Sequence, residues 1–100
     1  MRELLYLVAG CNVVGATGLT TGRTAGIASS QRNAKGDYTI FLSEGIDLTD
    51  AVVSVTKKTT ATEIAANQSS DTQIDVLTTD LAGNPADVGF ALLVARLDIG

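Results

Sequence analysis

The 100-residue chain predicts an all-β fold, a single β-sandwich, on three observations. Val, Ile and Thr are abundant, and β-branched side chains suit a pleated surface better than a helix. Several short segments alternate apolar and polar residues with a period of two. Turn signals built from Gly, Asn, Asp and Pro separate these segments at regular spacing. Apolar residues make up 45% of the chain, enough for one real core, while only four residues are aromatic, so small and β-branched side chains must do most of the filling. The length fits one domain spanning 1–100.

The elements follow in order. Glu3–Ala9 is a compact apolar run ended by Gly10, too short for a comfortable helix, and reads as a strand. Leu4, Tyr6 and Val8 fall on one face, and Leu5, Leu7 and Ala9 on the other. From about 10 to 26 the chain is dense in Gly and Thr, which predicts turns or an extended loop. Ile27–Arg32 is a short strand, and Lys35-Gly36-Asp37 a turn. Tyr38–Leu42 alternates, with Tyr38, Ile40 and Leu42 on one face and Thr39 and Phe41 on the other. Ala51–Lys57 is a Val-rich strand. Thr59–Asn67 fits a strand better than a short helix, because Thr59, Thr60 and Thr62 weaken a helix. Gln68–Asp71 is a polar turn. Thr72–Thr78 alternates with Ile74 and Val76 inward, Asp80–Pro85 is a strong turn, and Phe90–Leu97 is a last strand, apolar on both faces. The count comes to about seven strands.

Composition excludes several functions. Net charge is −4 and the only basic cluster is Lys57–Lys58, so no patch is set up for nucleic acid or an anionic membrane surface. No apolar run approaches the ~18 residues of a spanning helix. With no His and the single Cys11, the usual general base, the commonest zinc ligand and any intrachain disulfide are missing. The expectation is a protein with no catalytic residues, no metal and no cofactor.

Three short motifs tempt and fail. Gly10 and Gly15 have the spacing of a phosphate-binding loop, but Ala16 follows where Lys is required, so the essential cation is missing, and no helix signal comes after it. Val14–Gly18 resembles a dinucleotide-binding turn, yet Thr21 occupies the third glycine position. Val8-Ala9-Gly10-Cys11 fits a lipobox, but the apolar stretch before it is too short and Glu3 sits badly in a leader, so a buried, inert Cys11 at a strand end is the better reading. Asp71, Asp75, Asp80 and Asp87 do not match calcium-loop spacing, and Asp80 and Asp87 read as solvated residues flanking a turn. Asn67-Gln68-Ser69 is a formal glycosylation sequon, meaningful only in a eukaryotic secretory pathway.

Gly36-Asp37-Tyr38-Thr39-Ile40-Phe41-Leu42, preceded by Arg32, resembles a pattern in small β domains of bacteriophage virion proteins. The order continues with Val52, Val53 and Val55, then Ile74–Thr79, the turn Asp80 to Gly83, Asp87, Phe90 and the step Val94–Arg96. The likeness covers Ile27–Arg96. It implies a jelly-roll-like sandwich that assembles as a trimer on a phage particle. Fibre knobs end long chains that carry a shaft; a chain beginning at Met1 with strand residues is closer to a capsid decoration (cement) protein on the capsid surface, whose partners are its own copies and the major capsid protein. The alternative is a receptor- or glycan-binding knob of a tail or head fibre.

Two sets of candidate residues result. The terminal strands are apolar on both faces, yet one sandwich has one core, so a partner subunit should cover the rest, with Leu4, Leu5, Leu7, Leu93 and Leu97 as interface candidates. Gly15, Thr17, Gly18, Thr20, Thr21 and Gly22 form a candidate capsid-docking loop, glycine allowing close backbone approach and threonine supplying hydroxyls. A plain crossover of the sandwich is the equally weighted alternative for this stretch.

Overall fold

The computed structural model describes residues 3–46, 48, 51–58, 62–70 and 72–99, and of 3–6, 62, 69 and 97–99 the backbone alone. Among the described residues the chain forms eight strands and no helix: β1 (Glu3–Val13), β2 (Thr20–Ala25), β3 (Ile27–Ala34), β4 (Asp37–Leu42), β5 (Ala51–Lys57), β6 (Thr62–Ser70), β7 (Gln73–Asp80) and β8 (Phe90–Ile99). They make two four-stranded antiparallel sheets. Sheet A has the order β2-β1-β8-β5 and sheet B the order β3-β4-β7-β6.

The β-sandwich is thus present. Its wiring keeps three hairpins within a sheet (β1–β2, β3–β4 and β6–β7), and β8 returns to lie beside β5 after β5, β6 and β7 in Greek-key fashion.

Alternation drives the core. Tyr38 and Ile40 from β4, Ile74 and Val76 from β7, Val13 from β1, and Phe90 and Val94 from β8 are all fully buried between the sheets. Each contributes about 1.5–3 kcal/mol by leaving water, less the cost of ordering it. Tyr38 meets Phe90 edge to face across the sandwich, ring centroids 5.3 Å apart. Leu48 and Val88, from the β4–β5 and β7–β8 connections, are also buried.

Four local readings are corrected. First, β1 does not stop at Gly10 but continues to Val13, because Gly10 pairs with Leu93 on one side and Ala25 on the other. Cys11 is therefore in mid-strand, and it is buried. Second, the β1–β8 register shifts between Leu7 and Ala9. The bulge at Val8 separates two residues that simple alternation puts together: Leu7 is exposed while Ala9 is fully buried. Third, the Gly/Thr-rich stretch 10–26 is not one loop. It holds the end of β1, a turn, and all of the edge strand β2. Fourth, β6 runs on through the expected polar turn to Ser70. Its strand character from Thr62 settles that part of the 59–67 reading, while 59–61 lie outside the described residues.

Candidate functional site

One end of the sandwich gathers the β1–β2 turn, the β3–β4 turn and the β7–β8 connection, and a single carboxylate ties them together. Asp87 Oδ1 accepts from Arg32 Nε at 3.0 Å and from the Gly36 backbone N–H at 2.8 Å, while Asp87 Oδ2 lies 2.9 Å from an Arg32 terminal nitrogen. The pairing is bidentate, the geometry in which a guanidinium holds a carboxylate best. The Tyr38 hydroxyl sits 3.1 Å from the same Oδ1 and 2.7 Å from the Gly15 carbonyl oxygen, so it joins Asp87 to the β1–β2 turn. Arg32, then the Gly36 N–H, hold the Asp87 carboxyl down at about 2. Burial, with the Asp87 charge second, pushes the Tyr38 phenol up. Asp87 is thus a hub rather than a freely solvated turn residue.

Chain proximity supplies none of this, since Arg32 and Asp87 are 55 residues apart. The resemblance quoted Arg32, Gly36, Tyr38, Asp87 and Phe90 as separate marks along the chain. The fold brings all five into contact, Phe90 through its ring contact with Tyr38.

The turn is clamped by backbone approach as well. A Cβ built on Gly15 would lie 2.6 Å from the Val88 carbonyl carbon. Gly18 has φ of 71°, and a Cβ there would lie 2.6 Å from Arg32 Cβ while pressing on the Arg32 backbone. Ser30 Oγ donates to the Gly18 carbonyl at 2.7 Å. Of the candidate docking residues, buried Gly15 and Gly18 therefore serve packing. Thr17 is exposed, with its hydroxyl accepting from the Leu19 N–H at 3.2 Å. Thr20, Thr21 and Gly22 belong to β2. Among polar neighbours such as Thr17, Lys35 and Asn84, this end also exposes apolar side chains missed from sequence: Val14, Leu19 and Leu81, Leu81 at 66%. Leu81 tops a turn in which Asp80 Oδ1 accepts from the Ala82 and Asn84 N–H groups.

The second feature is the outer face of sheet A. The register lines up Leu7, Ala95 and Val52 in one row, Gly10, Leu93 and Ser54 in the next, and Asn12, Ala91 and Thr56 in a third. Leu7 and Leu93 are 54% and 48% exposed, and Val52 is exposed beside them. Because Gly10 has no side chain, the face is dished into a groove of about 500 Å³ lined by Leu7, Gly10, Arg23, Ser54, Thr56 and Leu93. Of the interface candidates, the structure brings Leu7 and Leu93 to this face. For Leu4, Leu5 and Leu97 it gives the backbone alone, with Leu5 paired to Leu97 and Leu4 to Asp98.

The outer face of sheet B carries a polar network beside exposed Leu77 and half-buried Phe41. Asn33 Nδ2 donates to Thr39 Oγ1 at 2.7 Å, Thr39 Oγ1 donates to Asp75 Oδ1 at 3.1 Å, and Gln31 Nε2 donates to Asn33 Oδ1 at 2.6 Å. Such a ladder satisfies its own polar groups across the middle of the face. Among the described residues no three His, Cys, Asp or Glu side chains cluster as a metal site would require. Burial pushes the Cys11 thiol up to about 11, which keeps it protonated and unreactive near neutral pH. Compared with known proteins, the chain matches no family model, no curated protein and no solved structure.

Proposed function

We propose that this chain is a structural component of a bacteriophage particle, a capsid decoration protein that clamps neighbouring subunits of the major capsid protein. It acts as a homotrimer, without catalysis and without a cofactor. The observation that carries the reading is the locked end: three connections fastened by Asp87, with Val14, Leu19 and Leu81 held outward on them. A clamp needs rigid apolar anchors, because side chains already ordered in the free protein lose little further entropy on docking. Several copies in one assembly then turn modest contacts into tight ones.

The fibre-knob reading requires aromatic rings at loop tips on which sugars stack. Tyr38 and Phe90 are instead fully buried, and Phe41 is half-buried within β4.

Removing the gene tests the proposal. Particles lacking the protein should assemble but burst at lower temperature or under osmotic shock, and added purified protein should restore them. Leu19→Asp combined with Leu81→Asp should fold and fail to restore. Particles as robust as wild type that no longer adsorb to cells would replace the decoration reading with the knob.

A further inference from the structure

We infer that β5 pairs edge to edge with β5 of a second copy, antiparallel about a twofold axis through Ser54, so that sheet A runs on across two chains as eight strands. The inference goes beyond the reading above and does not rest on it. The contact is isologous and separate from a threefold one, so in a trimeric assembly it ties one trimer to the next.

The state of the four sheet edges is the first argument. An edge strand presents unpaired N–H and C=O groups to any other strand, and bulges and charged side chains normally blunt it. Three edges here are blunted. The β1–β2 ladder shifts register, and β2 carries Arg23 and Gly22 at positive φ. β3 shifts twice against β4 and carries Arg32. β6 shifts against β7 between Gln68 and Ser70 and carries Glu63. Among the described residues β5 alone keeps one register along its whole length, Ala51 to Lys57 against β8, with no Gly, no Pro and only the terminal Lys57 as a charge. A Val-rich segment of this kind is a template for another strand. The side chains agree. Val53 and Val55 of β5, with Ile64 and Ala66 of β6, are only half-buried against the core, so its apolar layer is still open along this edge.

The sequence of β5 is the second argument, because it says which strand fits. An axis through Ser54 pairs the whole strand: Ala51 with the partner's Lys57, Val52 with the partner's Thr56, Val53 with the partner's Val55, and Ser54 with the partner's Ser54. Moving the axis to Val53 or Val55 shortens the ladder at both ends, and the Val55 axis sets Val53 against the partner's Lys57. About Ser54 the half-buried Val53 and Val55 meet apolar counterparts and extend the core layer. The exposed Val52, Ser54 and Thr56 stay together on the outer face. Antiparallel pairing also sets the two Lys57 positions at opposite ends of the ladder, ~20 Å apart along the strands, where a parallel pairing in register would oppose them. The partner's Lys57 has Arg96 of β8 one strand beyond Ala51, about 10 Å off, roughly a Debye length at physiological salt.

A cysteine on the axis tests this directly. Residues opposite each other on antiparallel strands have Cα atoms about 4.5–5.5 Å apart, within reach of a disulfide. Ser54→Cys meets itself, so mild oxidation should give a covalent dimer of twice 10.3 kDa on a non-reducing gel. Val52→Cys and Thr56→Cys each lie ~14 Å from their own copies across the axis and should give none alone, while a chain carrying both should give the dimer. Native Cys11 is buried and stays out of the reaction. Ser54 is exposed, so a charge there leaves the fold intact. Ser54→Lys and Ser54→Asp should each keep the β circular-dichroism spectrum and lower the assembly mass measured by light scattering, and an equal mixture of the two should restore it. No dimer from Ser54→Cys, or as much dimer from Val52→Cys alone, would overturn the inference, as would a mixture that associates no better than either variant. The two readings separate cleanly: fragile shells on gene removal with no covalent dimer would remove this contact alone, and a covalent dimer from a protein whose loss leaves shells unchanged would remove the decoration role alone.

Discussion

Replacing Asp87 by Ala removes the group that joins Arg32, the Gly36 N–H and Tyr38. The Gly36 N–H is buried, and stranding a buried donor that had a charged acceptor costs about 1.5–3 kcal/mol. The Arg32 pair is open to solvent and adds little to that. Tyr38 keeps its bond to Gly15 and loses only the longer approach to Asp87. The expected loss is therefore about 2–3 kcal/mol, a fall in Tm of roughly 15 °C for a domain of this size. Urea unfolding should show the midpoint moving with the slope unchanged. Asp80→Ala, which removes a carboxylate bonded only within its own turn, should destabilise less. A loss below ~0.5 kcal/mol for Asp87→Ala would refute the hub, since surface substitutions away from special features fall in that range.

Other consequences follow from the same geometry. The Asp87 carboxyl is held at about 2 against an ordinary 3.8, so its contribution is fully present above roughly pH 4 and is lost as pH falls toward 2; Asp87→Asn should flatten that part of the acid-unfolding curve. Tyr38→Phe leaves the buried Gly15 carbonyl without its partner and should cost about 1–2 kcal/mol by thermal unfolding. Because Tyr38 and Asp87 share a bond, the double variant should lose less than the two singles together. Gly18→Ala places a methyl against the Arg32 backbone at positive φ and should cost more than 1 kcal/mol, and more than Gly22→Ala, which has the same φ but open space around it. Cys11 should resist thiol reagents in the native state at pH 8 and label only on unfolding.

Much of the fold was legible because period-two patterning reports burial directly. β5 falls on Ala51–Lys57 as read, and Tyr38, Ile40, Leu42, Ile74 and Val76 point inward as alternation requires. The misreadings have physical causes. Glycine normally weakens a strand, but Gly10 is tolerated in β1 because a partner strand pairs with it on each side. β2 passed for a loop because its glycine masked four Thr and Ala residues that pair well enough at an edge. The bulge at Val8 inverts the facing of half of β1, and nothing in the local sequence announces it.

The candidate site was less legible. Leu7 and Leu93 are exposed because a strand apolar on both faces leaves one set of its side chains outside the single core. The Asp87 hub depends on contacts between residues 49 to 55 positions apart, which spacing alone cannot reveal. Exposed Leu19 and Leu81 carried a usable signal, a large apolar residue inside a turn, which glycine and threonine density overshadowed.

Imaging the parent particle tests the central claim most directly. The account predicts copies of this protein seated in threes on the outer capsid surface, with the end bearing Leu19 and Leu81 against the shell and sheet B facing solvent. Density confined to the tip of a fibre, with none on the capsid surface, would contradict it.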